Sequence, residues 1–101
     1  MTHIIVGPRA ETDIDDILER LSLLAGIVVA ERYAGDLQAV YERLEMFPAI
    51  GAPRPSLGRN IRIVMLEPFV VFYRYLADED TVTVVRVLDG RRNVTRRLIR
   101  S

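Results

Sequence analysis

Apolar side chains in residues 61–93 recur in the pattern of three consecutive β-strands. Runs rich in Val, Ile, Phe and Tyr are interrupted first by Glu67-Pro68 and then by an acidic turn at 77–80. The middle run, 69–76, is almost continuously apolar, which is typical of a central strand covered on both faces. The links between these runs are too short for crossovers, so the strands are predicted to form an antiparallel meander.

Two amphipathic helices are predicted upstream of this meander. Apolar positions recur at helical spacing over residues 11–25 and again over about 27–46. The first helix begins either with Thr12 as its N-cap or at Pro8, which a first helical turn tolerates. Because the single residue Gly26 separates the helices, they are expected to fold back as an antiparallel hairpin. The predicted buried stripes are Ile14, Ile17, Leu18, Leu21, Leu24 and Ala25 in the first helix, and Ala30, Tyr33, Ala34, Leu37, Val40, Tyr41 and Leu44 in the second.

The remaining segments complete the predicted fold. Residues 3–6 form a short β-branched run before Gly7-Pro8 and are expected to add a first strand to the sheet. Residues 47–57 contain three prolines and a glycine, which predicts a stiff connection without regular structure. The order is therefore β-α-α-β-β-β. This is an α+β fold in which an N-terminal helical hairpin packs on a small antiparallel sheet, within a single domain of residues 1–101.

The zero net charge conceals two halves of opposite sign. Residues 1–50 carry nine acidic residues and four arginines, whereas residues 51–101 carry ten arginines and five acidic residues, so the net charges are −5 and +5. All 14 basic residues are arginine, for which a GC-rich genome is the simpler explanation. The basic surface nevertheless consists of planar guanidinium groups that suit carboxylates and phosphates. The basic tail, 93–101, is predicted to be either a short helix lying on the domain or a segment that orders only when a partner binds.

Several classes of site are excluded or disfavoured by composition. The chain has no cysteine, which rules out disulfides and thiolate metal sites. His3 is the only histidine, and a surface position on a strand fits it better than a catalytic one. Acidic residues cluster near the start of the first helix, where they complement the helix dipole and do not converge on one face. We expect no metal, cofactor, small-molecule substrate or membrane span, and a cytoplasmic location.

Short sequence pieces form a series along nearly the whole chain: Pro8, Ala10, Asp13-Ile14 and Ile17; Ala30-Glu31-Arg32-Tyr33; Leu44, Phe47-Pro48, Gly51, Arg54-Pro55, Leu57-Gly58 and Ile61-Arg62; Phe69 to Arg74; and Val85 to Asn93. No single piece is a strong motif, but their order and spacing are specific. In these pieces the chain resembles the RelE/ParE superfamily of toxins from bacterial toxin–antitoxin modules, and within it the ParE, or plasmid-stabilisation, branch. The fold that the resemblance implies, a compact sheet with an N-terminal helical hairpin, agrees with the prediction from periodicity.

The resemblance implies two different activities, because RelE-type members cut mRNA on the ribosome and ParE-type members inhibit DNA gyrase without known nuclease chemistry. RNA cleavage needs a base, an acid and cations on the phosphate. RelE-like nucleases place an Arg early in the strand matched by 69–76, where this chain has Phe69-Val70. Residues 94–101 contain no Tyr, His, Asp or Glu, and arginine is a poor proton shuttle. Asp89 stands where many relatives carry His. These departures favour an inhibitor that binds gyrase and stabilises a cleaved-DNA state, with no catalytic residue.

The predicted contact surfaces follow from this resemblance. Arginines near the ends of the sheet are candidates for binding the target through charge complementarity: Arg59, Arg62, Arg86, Arg91, Arg92, Arg96, Arg97 and Arg100. Each alone is more simply a solvated charge or a partner in an internal salt bridge, and Arg86 in particular is a candidate for a structural pair with a carboxylate. Period two places Arg86 on the same side of its strand as Val82, Val84 and Leu88.

The second implied partner is a cognate, DNA-binding, ParD-like antitoxin, with which the toxin forms a hetero-oligomer. Its C-terminal segment is expected to dock along the exposed side of the helical hairpin and the adjoining sheet edge. Apolar residues outside the core stripe mark that surface, namely Leu23, Val29 and Ala39.

Three alternatives accompany the gyrase hypothesis. One is a ribosome-dependent mRNA endoribonuclease of the RelE type, and another is a non-toxic relic that only binds its partner. A basic nucleic-acid-binding module is the third, and it is disfavoured by the zero net charge and by the lack of aromatics among the C-terminal arginines.

Overall fold

A computed structural model describes residues 1–100, and Ser101, the last residue of the predicted tail, lies outside the described part. The helices and strands in chain order are β1 (His3–Val6), α1 (Pro8–Ala25), α2 (Ile27–Met46), β2 (Ala52–Pro53), β3 (Ile61–Leu66), β4 (Phe69–Leu76), β5 (Thr81–Asp89) and α3 (Arg96–Arg100). The α+β class, the helical hairpin and the three-strand meander are confirmed.

All five strands belong to one sheet with the order β1-β5-β4-β3-β2. Strand β4 is central, as its continuous apolar run predicts, and β2 to β5 pair antiparallel. Strand β1, however, pairs parallel with β5, from His3 opposite Thr81 to Val6 opposite Val84. The sheet is therefore mixed rather than wholly antiparallel. Parallel neighbouring strands need a long connection. Residues 7–80, which join β1 to β5, are long enough to allow the parallel direction.

The helix boundaries decide between the two predicted starts of the first helix. Helix α1 begins at Pro8, whose missing N–H costs nothing in the first turn, and the Thr12 hydroxyl donates to the Pro8 carbonyl within the helix instead of capping it. Gly26, with φ of 94°, separates α1 from α2. Such a positive φ is accessible to glycine and strained for other residues, so this glycine permits the sharp reversal of the hairpin.

The two faces of the sheet carry separate apolar cores. The helical hairpin covers one face, where Ala10 and Leu37 of the helices pack with Val71, Val84 and Val87 of the sheet. Helix α3 lies on the other face through a second cluster, which consists of Ile61, Val70, Phe72, Leu88 and Ile99. The basic tail thus includes a short helix on the domain, which is one of its two predicted forms.

The predicted buried stripe of α1 fails in its last turn. Leu24 is 80 % exposed and Ala25 is also exposed, whereas Ile14 and Ile17 pack against the core. Leu24 and Ala25 lie at the turn of the hairpin, where neither the sheet nor the partner helix covers them. The 3.6-residue period continues along the helix regardless of whether anything lies opposite it.

A β-bulge interrupts the period of two in β5. Phe72 lies opposite Arg86, but Tyr73 lies opposite Val84, so Val85 is an extra residue. Val84 and Val87 consequently pack on the hairpin face, and Leu88 packs on the α3 face. The prediction for Arg86 is therefore right for Leu88, whose side it shares, and wrong for Val82 and Val84, which the bulge places on the opposite face.

The proline-rich connection contains more regular structure than predicted. It holds the two-residue strand β2 and a 3₁₀ turn at Pro55–Leu57. The buried Tyr73 hydroxyl donates to the Pro48 carbonyl at 2.7 Å and accepts from the Gly51 N–H at 2.9 Å. These bonds attach the connection to the centre of the sheet.

Candidate functional site

Arg86 lies at the uncovered edge of β5, beyond the point where β1 ends. Its Nε and Nη2 donate to the two carboxylate oxygens of Asp13 at 2.8 and 3.0 Å, in a bidentate pair. The Val87 N–H donates to Asp13 as well, at 3.0 Å, so this carboxylate takes the place of a neighbouring strand. Nη1 of Arg86 donates to the Leu98 carbonyl at 3.0 Å. One side chain therefore connects α1 to α3 around the edge of the sheet.

This arrangement removes Arg86 from the candidate target-binding surface. The residue is only 6 % exposed. The hydrogen bonds that the Arg86 guanidinium donates to Asp13 are the main cause that raises its pKa, against the opposing effect of burial. The prediction that Arg86 contacts the target is therefore wrong. The alternative prediction, a structural pair between Arg86 and a carboxylate, is correct.

Four arginines from different parts of the chain line a groove of about 440 Å³, here called the arginine groove. Arg59 comes from the turn before β3, Arg74 from β4, and Arg96 and Arg100 from α3. Arg96 and Arg100 are four residues apart and therefore share one side of their helix. Leu57 and Gly58 complete the lining.

The guanidinium groups of the arginine groove are available to a ligand. Within residues 1–100 the ion pairs are Arg86–Asp13 and Arg91–Asp89, so none of the four groove arginines is paired with a carboxylate. Arg96 donates from Nε to the Ser56 carbonyl at 3.3 Å, which holds its stem in place. The groove thus gathers positive charge without compensation among the described residues.

Groups able to transfer a proton at neutral pH do not line the arginine groove within the described chain. The six lining residues include no His, Tyr, Asp or Glu. Tyr33 donates to the Leu66 carbonyl, and burial raises its pKa to about 12. Burial likewise raises the pKa of Tyr41 to about 12 and is the main cause that raises the pKa of Tyr73. The groove can bind and polarise an anion, but its own side chains offer no acid or base near pH 7.

A second groove, of about 430 Å³ and here called the hairpin groove, lies between the helical hairpin and the end of β5. Val29, a predicted antitoxin contact, lines it together with Arg91 and Arg92, which are predicted target contacts. Tyr33 and Phe69 add apolar surface and meet edge to face, with ring centroids 5.7 Å apart. The structure therefore brings residues of the two predicted surfaces into one groove.

Arg91 is held at the rim of the hairpin groove by Asp89. Its Nη2 lies 2.9 Å from Oδ2 of Asp89, and Nε donates to Oδ1 at 3.1 Å. These side-chain bonds, together with the Arg91 N–H, lower the pKa of the Asp89 carboxyl to about 2. Asp89 is thus a positioning partner for Arg91.

Exposed apolar side chains surround the turn of the helical hairpin. Leu23 is 79 % exposed and Val29 is 37 % exposed. Their exposed neighbours at the same turn are Leu24, Ile27 and Val28. These five residues form a patch, here called the hairpin-turn patch, that continues into the hairpin groove through Val29. Contiguous apolar surface of this kind is typical of an interaction site.

Three predicted site residues lie elsewhere. The Arg62 Nη1 donates to the Ala49 and Gly51 carbonyls at 3.0 and 2.7 Å, so this side chain stabilises the proline-rich connection. Arg97 is exposed on α3 but does not line the arginine groove. Ala39 is exposed on α2, ten residues and therefore about 15 Å along the helix from Val29, and it does not line the hairpin groove.

Arg74 is the groove residue that the sequence prediction missed. It lies opposite Ile61 in β3, near the start of that strand and hence close to Arg59. The alternation of side chains along β4 could have indicated this residue. It places Arg74 on the same face of the strand as Val70 and Phe72, and α3 lies on that face. Its proximity to Arg96 and Arg100 depends on the docking of α3, which no local pattern reveals.

Residues 1–100 lack two further features. No group of three or more His, Cys, Asp or Glu side chains is placed to hold a metal ion. No helix in this part of the chain is long and apolar enough to cross a membrane.

The overall fold recurs in solved toxin–antitoxin structures. A chain of the chromosomal ParDE toxin–antitoxin system from P. aeruginosa superposes with a TM-score of 0.64 at 23 % identity, over 88 % of this chain and 96 % of that one. A chain of the intact E. coli RelBE toxin–antitoxin complex gives 0.63 at 16 % identity, over 91 % and 100 %. At these identities the likeness establishes the shared RelE/ParE fold.

Sequence comparisons identify the family. Residues 4–94 match the family model described as the ParE toxin of the type II toxin–antitoxin system, parDE. Toxin ParE3 of Caulobacter vibrioides is 34 % identical over 98 residues, covering 97 % of this chain and 96 % of that protein. Toxin ParE1 of Mycobacterium tuberculosis H37Rv is 30 % identical over 97 residues, covering 96 % and 98 %. The fold and these matches define a toxin of a type II toxin–antitoxin system. Within that class, the chain belongs to the ParE toxin family.

Proposed function

We propose that this toxin acts by binding DNA gyrase and stabilising a cleaved-DNA state, without chemistry of its own. The observation that carries the proposal is the arginine groove, which concentrates four guanidinium groups but, within residues 1–100, is lined by no side chain suited to proton transfer near pH 7. Such a site suits recognition of an anionic partner. Cleavage of RNA would need an acid and a base beside the phosphate.

We further propose that a cognate antitoxin neutralises the toxin by covering the hairpin-turn patch and the hairpin groove. The solved ParDE and RelBE relatives are toxin–antitoxin complexes, which supports such a partner. An amphipathic segment fits this surface, because Val29 and Phe69 offer apolar contacts and Arg91 and Arg92 offer cationic contacts at the rim. A segment bound there would also cover two arginines that were predicted to contact the target.

The decisive experiment adds the purified toxin in parallel to a gyrase supercoiling assay and a ribosome-dependent mRNA cleavage assay. We expect loss of supercoiling with accumulation of cleaved DNA, and intact mRNA. Cut mRNA with unaffected gyrase would contradict the proposal and support the RelE-type alternative. Inactivity in both assays would contradict it too and would favour a toxin that acts on another target or a partner-binding relic.

A matched pair of variants locates the inhibitory surface. The double substitution Arg59→Gln/Arg100→Gln removes two charges from the arginine groove. Arg9→Gln/Arg32→Gln removes the same charge from exposed positions on α1 and α2. We expect the groove variant to lose at least tenfold in inhibition and the helix variant to retain it. Equal losses would indicate an effect of net charge alone.

A further inference from the structure

We infer that the arginine groove binds the phosphodiester backbone of duplex DNA. This DNA binding deepens the proposed function and rests on it for its role in the cell. It assigns the groove to the DNA that gyrase holds rather than to the protein surface of gyrase. The groove carries concentrated positive charge. Its four arginines lie together, and among residues 1–100 no carboxylate is paired to any of them: Arg59, Arg74, Arg96 and Arg100.

The charges in the groove are organised rather than incidental. Arg74 is half-buried in the central strand β4, and Arg96 is anchored through Nε to the Ser56 carbonyl. Three separate segments therefore direct like charges to one place, and the repulsion between them is relieved when an anion binds. Guanidinium groups present paired N–H donors that match two oxygens of one phosphate.

The lining of the groove distinguishes a phosphate backbone from an acidic protein surface. Protein interfaces bury an apolar centre, usually with aromatic residues, inside a polar rim. Of the six lining residues, Leu57 is the only one with a sizeable apolar side chain, and none is aromatic. A lining in which four of the six residues are arginine suits a partner whose contact surface is itself a row of anions, as the DNA backbone is.

The same lining indicates that the bound DNA is double-stranded and that binding does not depend on its base sequence. Proteins that bind single strands stack bases on aromatic side chains, and the groove lining has none. Contacts to phosphate position a protein on DNA but carry no sequence information. The zero net charge of the chain does not oppose this mode, because the four charges are local and the acidic half lies in α1 and α2, on the opposite face of the sheet.

The test measures binding of the full-length toxin to a fluorescein-labelled 20-base-pair duplex by fluorescence anisotropy, without gyrase, at several salt concentrations. Four phosphate contacts predict that log K falls against log salt with a slope of about −3 to −4. Arg96→Gln/Arg100→Gln should weaken binding at least tenfold at low salt and reduce the slope by about 2. Arg9→Gln/Arg32→Gln, with the same net charge, should change neither.

Three results would overturn the inference. They are no binding of the duplex by the unaltered toxin, equal losses in the two double variants, and binding of polyglutamate as tight as that of DNA. In the Arg96→Gln/Arg100→Gln variant, DNA binding could also weaken because α3 detaches from the sheet. The single variant Arg59→Gln controls for this, because Arg59 lies on the turn before β3, and it should reduce the slope by about 1. DNA binding without gyrase inhibition would contradict the proposed function alone, whereas gyrase inhibition without DNA binding would contradict this inference alone.

Discussion

Arg86 and Asp13 stand 73 positions apart in the chain and form a bidentate ion pair at the edge of β5. The pair is almost fully enclosed, with side-chain exposures of 7 % and 13 %. Through the further bond from Arg86 to the Leu98 carbonyl, it joins the helical hairpin on one face of the sheet to α3 on the other. This bond, together with the packing of Ile99 and the bond from Arg96 to the Ser56 carbonyl, holds α3 beside the arginine groove.

Removing the Asp13 carboxylate should destabilise the fold strongly. Asp13→Ala leaves the Arg86 charge buried without its partner, and we expect a loss of about 3 kcal/mol in the free energy of unfolding, measured by urea denaturation. Asp16→Ala, an exposed acid on the same helix, should change it by less than about 0.5 kcal/mol. A small effect of Asp13→Ala would show that Arg86 finds solvent or another partner at little cost.

Two glycines should respond to alanine in opposite directions. A Cβ at Gly51 would lie 2.6 Å from the Tyr73 hydroxyl oxygen and 2.7 Å from the Ile63 carbonyl, so Gly51→Ala should destabilise the chain by about 2 kcal/mol. Gly35 lies within α2 with nothing within 4 Å of the added Cβ, so Gly35→Ala should stabilise it by about 0.5–1 kcal/mol. Thermal denaturation of both variants checks the signs. Tolerance of Gly51→Ala would mean that the proline-rich connection moves freely away from β4.

The Asp89 carboxyl should titrate with a pKa of about 2, against an ordinary value of 3.8. A lowered pKa means that the folded state prefers the ionised carboxylate. The pair with Arg91 therefore stabilises the fold above about pH 4, and this contribution disappears as the pH falls through 2. NMR titration of the Asp89 side chain measures the value directly. Arg91→Gln should raise it towards 3.8, and an unchanged pKa in that variant would exclude Arg91 as the cause.

The hairpin-turn patch should decide antitoxin affinity. Leu23→Asp/Val29→Asp places two charges on exposed positions and should weaken binding of the proposed cognate antitoxin by at least a hundredfold in isothermal titration. Met46→Asp alters another exposed apolar residue, at the far end of α2, and should leave binding intact. If Met46→Asp reduced binding more than the double variant, the antitoxin surface would lie at the other end of the hairpin.

Much of the fold was predictable because it depends on local periodicity. Strands β3 and β4 end where Glu67-Pro68 and the acidic turn interrupt the apolar runs. Both long helices follow the apolar spacing on either side of Gly26. The candidate site was predictable only in part. Arg59, Arg96 and Arg100 were among the predicted residues and do meet in one groove, whereas Arg62 and Arg86 are engaged in structural contacts.

By itself the sequence determined the two long helices and strands β1, β3, β4 and β5, that the arginines concentrate in the second half, and that the chain resembles the ParE branch of its superfamily. Only the tertiary structure decided the parallel pairing of β1 with β5, the bulge at Val85 and the meeting of Arg74 with the arginines of α3. The periodicity of apolar residues indicates which side chains of a helix or strand lie on the same face. Which segments then meet depends on contacts between residues far apart in the chain, such as Asp13 and Arg86, and these form only when the faces pack.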